Sequence, residues 1–166
     1  MVRIVREEYL GQLKSLVKTP DIKVITGIRR CGKSWLMADF IKWLKEYDPL
    51  SNIVFINLQD LQFESLKAYR TLNDYVMKQY QSDRNNYLVI DEVQLCESFE
   101  LAINSIHSGG LFDIYITGSN AFLLSSDLLT LFTGRTINVE VFPFHSTSSF
   151  AISLSKILKT RLIVIC

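Results

Sequence analysis

Residues 27–34 read Gly-Ile-Arg-Arg-Cys-Gly-Lys-Ser, the spacing G-x-x-x-x-G-K-S that makes a phosphate-binding loop when a strand enters it and a helix leaves it. An apolar run at residues 22–26 precedes it and an amphipathic stretch follows. A glycine-rich turn without a ligand is the competing reading, and that flanking context disfavours it. Gly27 and Gly32 allow backbone conformations that turn successive N–H groups inward. The result is a concave anion site at a helix N-terminus, where the helix dipole also favours negative charge. Lys33 is placed to reach the β- and γ-phosphates of a nucleotide, and Ser34 offers a hydroxyl to Mg²⁺. Ile28, Arg29, Arg30 and Cys31 contribute through their backbone, and the candidate contact set runs on through Trp35. The side chains of Arg29 and Arg30 either add positive potential or are simply solvated.

A second set of reactive residues follows an apolar run at residues 87–90, where Asp91 and Glu92 stand at the expected C-terminal end of a strand. Asp91 there is suited to hold Mg²⁺, directly or through water. Glu92 is placed to orient and deprotonate an attacking water, and a base at this point separates hydrolases from most small-molecule kinases. The bland alternative is two exposed acids after a buried strand. Asp60, after an earlier strand, is a rival acid. Ser119 and Asn120 end a further strand, where a polar side chain senses a γ-phosphate, holds the water or caps the next helix. Arg135 is either an arginine finger or a surface arginine. His107 and His145 have no ligand spacing and read as a helix-end and a loop residue.

The elements that must position these groups alternate along the chain. Apolar residues at helical spacing predict a helix over residues 4–17, ended by Thr19-Pro20, and another after the loop, ended by Asp48-Pro49. Residues 53–58 predict a strand buried on both faces. Residues 61–81 suggest helix with a break at Asn73-Asp74, and residues 87–90 a third strand. Ser98 is expected to cap a helix carrying Phe99, Ala102, Ile103 and Ile106 on one face, closed by Gly109-Gly110. Residues 112–117 predict a fourth strand, a leucine-rich helical stretch runs through Leu131, and residues 136–142 predict a fifth strand ended by Pro143. Strands alternating with helices mean right-handed βαβ units: an α/β fold with a parallel sheet covered on both faces and ligand binding at the C-terminal strand ends.

Composition sets the outer bounds. A chain of 166 residues, 48% hydrophobic, suits one domain with a real core. Eighteen basic and 17 acidic residues, net charge +1, give no global field marking nucleic acid or a membrane as partner. Cys31, Cys96 and Cys166 form neither a disulfide framework nor a zinc pattern and fit a reducing cytoplasm. Charged residues at the N-terminus leave no signal-peptide core there, and the expectation is a cytoplasmic protein.

The segments Ile25-Thr26-Gly27-Ile28-Arg29-Arg30, Gly32-Lys33-Ser34, Ile90-Asp91-Glu92-Val93-Gln94, Ile116-Thr117-Gly118-Ser119-Asn120 and Leu131-Phe132-Thr133-Gly134-Arg135 together resemble the prokaryotic AAA-like P-loop ATPases of uncharacterised role. The resemblance covers residues 1–144. It implies a three-layer α/β/α P-loop NTPase fold with a mainly parallel five-stranded sheet in the order 5-1-4-3-2, with ATP and Mg²⁺ as ligands. It also implies motif roles for Lys33, Ser34, Asp91 and Glu92, and Asn120 as the first sensor. Members of that family are longer and carry a C-terminal domain. From His145 the chain departs from the family pattern, and residues 145–166 read as an atypical tail, from truncation, a frame shift or divergence. The leading expectation is an ATP-binding, ATP-hydrolysing core in which hydrolysis moves a partner or a missing domain, with a homo-oligomer or a protein partner as the expected association. A nucleotide-binding fragment without turnover and a small-molecule kinase are the alternatives.

Overall fold

The computed structural model describes residues 2–119, 132 and 134–142. Five strands, β1 (Ile22–Gly27), β2 (Asn52–Asn57), β3 (Asn86–Asp91), β4 (Asp113–Ser119) and β5 (Thr136–Val141), form one sheet in the order β2-β3-β4-β1-β5. Every pairing is parallel. Read from the β5 edge, this is the order 5-1-4-3-2.

The period-2 alternation of the strands divides their side chains between two helical layers. Tyr87, Val89, Tyr115, Ile25, Val139 and Val141 pack with Leu13 of α1 (Val2–Ser15) and with Leu36, Met37, Phe40 and Leu44 of α2 (Lys33–Tyr47). Leu88, Ile90, Ile114, Ile116, Ile22 and Val24 face the other way, toward Leu72 and Val76 of α3 (Tyr69–Lys78) and Phe99, Ala102, Ile103 and Ile106 of α4 (Phe99–Ser108). Two cores on either side of one sheet make the three-layer α/β/α fold. Along α2, Trp43 stacks between Tyr47 and the buried Phe40, with ring centroids 4.6 and 6.0 Å away.

A buried charge sits at the N-terminal edge of the sheet. Lys23 is fully buried, and its Nζ donates to Asp113 Oδ1 at 2.5 Å and to the Thr19 carbonyl at 2.6 Å. Asp113 Oδ2 accepts the Lys18 N–H at 2.8 Å and the Tyr115 hydroxyl at 3.1 Å. A buried ammonium is tolerable only when paired and hydrogen-bonded in this way. The network ties the start of β1 to the start of β4.

Three local expectations are corrected. β2 is not buried on both faces: it is an edge strand, and although Val54 and Ile56 are buried, Phe55 on the α2 side is 43% exposed. The break in residues 61–81 falls at Ala68, not at Asn73-Asp74. A 3-10 helix spans Leu61–Lys67, and Ala68 is extended, forming a bridge to Glu97, whose N–H donates to the Lys67 carbonyl at 2.7 Å. That tertiary pairing outweighs the local turn preference of Asn-Asp, and α3 runs through both residues on its buried Leu72 and Val76. Ser98 precedes α4 but makes no side-chain cap hydrogen bond. Its φ of 53° lies in the left-handed region, away from the extended conformation that aims a capping oxygen at the first helical N–H groups. Asn120, the helical stretch through Leu131, His145 and the tail lie outside the described residues.

Candidate functional site

Because all five strands run the same way, the loops after β1, β3 and β4 open on one edge of the sheet. Gly27 ends β1 and pairs with Ser119, which ends β4; Asp91 ends β3, on the far side of β4. Two strand spacings, about 10 Å, separate β1 from β3, and the register sets Ile90 level with Ile116 and Val24, so Asp91 lies level with Thr117 and Ile25, two residues before Gly27.

The loop is shaped by two glycines for different reasons. A Cβ on Gly27 would meet Cys31 Sγ at 2.5 Å and the Val141 carbonyl oxygen at 2.6 Å, so only a glycine fits between the folded-back loop and β5. Gly32 has φ 93°, the left-handed turn that starts α2, and its carbonyl accepts the Leu36 N–H at 3.0 Å. Arg30 also has positive φ, 66°, a conformation uncommon for a residue with a Cβ. Lys33 is 4% exposed, and its ammonium curls over the loop to donate to the carbonyls of Gly27 at 3.0 Å and Ile28 at 3.3 Å. The side chains of Ile28, Arg29, Arg30, Ser34 and Trp35 are exposed, Trp35 by 64%. Cys31 is buried beneath the loop.

On the other side of β4, Asp91 is 2% exposed and its Oδ1 accepts the hydroxyl of Thr117, itself fully buried. The same hydroxyl oxygen accepts the Glu92 N–H at 3.1 Å. Among the described residues no basic side chain pairs with Asp91. A buried carboxylate served by a hydroxyl and no cation has the donor chemistry of a Mg²⁺ site, which needs few protein oxygens besides phosphate and water. No group of three or more metal-ligating side chains occurs among the described residues. Glu92 holds φ 56° and ψ 50°, a left-handed conformation that costs on the order of 1 kcal/mol in a residue with a Cβ. Its Oε2 accepts a hydrogen bond from Gln94 Nε2.

The remaining sequence candidates separate. Asp60 is exposed beyond the edge strand β2, its N–H bonded to the Asn57 carbonyl at 3.0 Å, and is one strand further from the loop than Asp91. Arg135 is exposed at the start of β5, its carbonyl accepting the Ile22 N–H at 2.8 Å. It therefore stands on the opposite sheet edge, about 16 Å of strand from Gly27, too far to serve the loop of its own chain. His107 is at the end of α4, with Nε2 2.9 Å from the Pro20 carbonyl oxygen. Sequence reasoning assigned no role to Thr117 or Gln94. For Thr117 the signal was available: it alternates with Tyr115 along β4 and so shares a face with the acid on the neighbouring strand.

Residues 19–149 match the AAA domain family. The chain belongs to that family. The match includes the loop, both acids and Thr117. An uncharacterised protein of Haemophilus influenzae is 35% identical over 142 residues, covering 84% of this chain and 36% of its own length. Another, of Methanocaldococcus jannaschii, is 30% identical over 125 residues, covering 75% of this chain and 27% of its own. This AAA domain thus spans about a third of the length of the curated relatives it matches. Among solved structures, AMPPCP-bound DnaA from Aquifex aeolicus superposes with a TM-score of 0.57 at 17% identity, over 96% of this chain and 53% of that one, a likeness of fold. No helix among the described residues is long and apolar enough to cross a membrane.

Proposed function

We propose that this AAA domain binds ATP with Mg²⁺ and hydrolyses it. The observation that carries the reading is the placement of the Lys33 loop and the Thr117–Asp91–Glu92 cluster on one sheet edge, on either side of β4. The loop N–H groups from Ile28 to Trp35 and the Lys33 ammonium hold the β- and γ-phosphates. Ser34 and Asp91 hold Mg²⁺, which when bound neutralises charge on the phosphate oxygens. Glu92 accepts a proton from the water that attacks the γ-phosphorus, and the bond to the bridging oxygen breaks to release ADP. Asn120, next in sequence after β4, acts as a sensor of the γ-phosphate.

The ATPase unit is residues 1–144, with residues 145–166 an atypical tail. Hydrolysis moves a partner or a further domain. The position of Arg135 on the far edge fits a finger offered to a neighbouring copy and not to its own loop.

Nucleotide binding without turnover is the alternative reading. Calorimetric titration with ATP and Mg²⁺, followed by phosphate release on the same sample with and without hydroxyl acceptors, decides between them. Micromolar binding with phosphate release into water is expected. Binding without release selects the alternative, acceptor-dependent transfer selects a kinase, and no binding overturns the assignment.

A further inference from the structure

Gln94 lies on a single 3-10 turn, Val93–Leu95, directly after Glu92. The turn is held by the fully buried Val93, by the Leu95 N–H bonded to the Glu92 carbonyl at 3.0 Å and by the Cys96 N–H bonded to the Val93 carbonyl at 3.0 Å. Gln94 and Glu92 therefore keep a fixed relation, and the Gln94 amide meets the Glu92 carboxylate. An ionised carboxylate can only accept, so the amide atom facing Glu92 is the nitrogen, and the amide oxygen points elsewhere. That oxygen, Oε1, is buried and has no partner among the described residues. A buried acceptor left unmet is costly, and one beside a candidate general base has an evident use.

Resting on the hydrolytic reading above, we propose that Gln94 is a positioning residue for the attacking water: it fixes the Glu92 carboxylate through Nε2 and presents Oε1 as a second acceptor to that water. A water has two protons. With one directed to Glu92 and the other to Gln94 Oε1, its lone pair is turned away from both acceptors and toward the γ-phosphorus. The water oxygen bonds to phosphorus, its proton passes to the free oxygen of the Glu92 carboxylate, and the bridging P–O bond breaks with its electron pair leaving on ADP. A second acid in place of Gln94 would supply the acceptor but not the donor, and would add repulsion beside Glu92 and the triphosphate. The neutral amide supplies both functions.

The test is a double-mutant cycle on the full chain, with Gln94→Ala and the length-preserving Gln94→Met, each alone and combined with Glu92→Gln. ATP affinity, phosphate release and the Gln94 side-chain amide resonance of the nucleotide-free protein are measured. Expected are an ATP Kd within threefold of the parent, kcat lowered roughly 10- to 100-fold by either single Gln94 variant, and less than a threefold further loss when Glu92→Gln is already present. The amide resonance of the nucleotide-free chain should shift on Glu92→Gln. Parental kcat in both Gln94 variants, multiplying losses in the double variant or an unmoved resonance each overturn the inference while leaving hydrolysis standing. No phosphate release by the parent, or parental release by Glu92→Gln alone, overturns the hydrolytic reading with Glu92 as base and this inference together.

Discussion

Thr117 and Asp91 meet across the β4–β3 step of the sheet, the hydroxyl of one donating to the carboxylate of the other. Since the same hydroxyl receives the Glu92 N–H at 3.1 Å, one side chain on β4 sets the position of both acids. Thr117→Val keeps the shape and removes the hydroxyl, leaving a buried carboxylate oxygen and an N–H without it. A loss of about 1–3 kcal/mol in urea unfolding is expected, with Thr117→Ser recovering most of it. If Thr117→Val unfolds at the parent's midpoint, the hydroxyl is not what holds the acids.

Lys33 and Glu92 should divide binding from chemistry. Lys33→Ala removes a charge that meets phosphate before and during reaction, so both ATP affinity and turnover should fall. Glu92→Gln keeps the shape and removes the base. Binding should match the parent while phosphate release drops by roughly 10² or more. Turnover at the parental rate in Glu92→Gln would make Asp60 the next acid to test.

Gly27 is fixed by its neighbours. In Gly27→Ala the new methyl meets both a side chain, Cys31 Sγ, and a backbone oxygen, that of Val141. Destabilisation of about 1–3 kcal/mol is expected, and adding Cys31→Ala should restore only part of it because the Val141 carbonyl cannot step aside. Full recovery in the double variant would mean that β5 yields more readily than a paired strand should.

Alkaline pH should unfold the protein from its buried acids. Burial, the main cause, raises the Tyr87 hydroxyl from 10.0 to about 12 and the Cys96 thiol from 9.0 to about 11, and it raises Tyr115 further, with Asp113 adding to the effect. The unfolded chain releases these protons first, so their contribution is complete below pH 9 and is lost as pH rises from about 9 through about 12. Urea midpoints measured from pH 8 to 11 should fall, and Cys96→Ala and Tyr87→Phe should flatten the fall. Tyr87→Phe should also cost little at neutral pH, since the Tyr87 hydroxyl is buried without a partner among the described residues.

The proposed phosphate and metal ligands, with the Asn120 sensor, all lie at or before residue 120, so cutting after Phe144 should leave ATP affinity within a few-fold. A hundredfold loss, about 2.7 kcal/mol, would show that residues past 144 complete the site or the sheet.

The loop and both acids were legible because their chemistry depends on residue type at fixed spacing, and Gly-Lys-Ser after an apolar run admits few other uses. The sheet order followed from the family resemblance, not from periodicity, which says nothing about which strands adjoin. Two kinds of feature escaped. The break at Ala68 and the left-handed Ser98 depend on a pairing between Lys67 and Glu97, thirty positions away in sequence and invisible to local propensity. Lys23 reads as a solvated charge inside an apolar strand until Asp113 is brought beside it by the β1–β4 register. Gln94 stands in the sequence only as part of a family pattern, because a glutamine has no distinctive chemistry until its partner is known.

The two tryptophans of the chain sit in unlike surroundings on the same helix, and that gives the protein an optical readout of its own. Trp35 is 64% exposed two residues after Lys33, whereas Trp43 stacks between Phe40 and Tyr47 with the Lys14 ammonium 5.0 Å over its ring. Emission from Trp35 is open to quenching by solutes and by any charged group arriving at the start of α2. Emission from the half-buried Trp43 is the more shielded, so a Trp43→Phe chain would carry a single tryptophan, beside the phosphate loop.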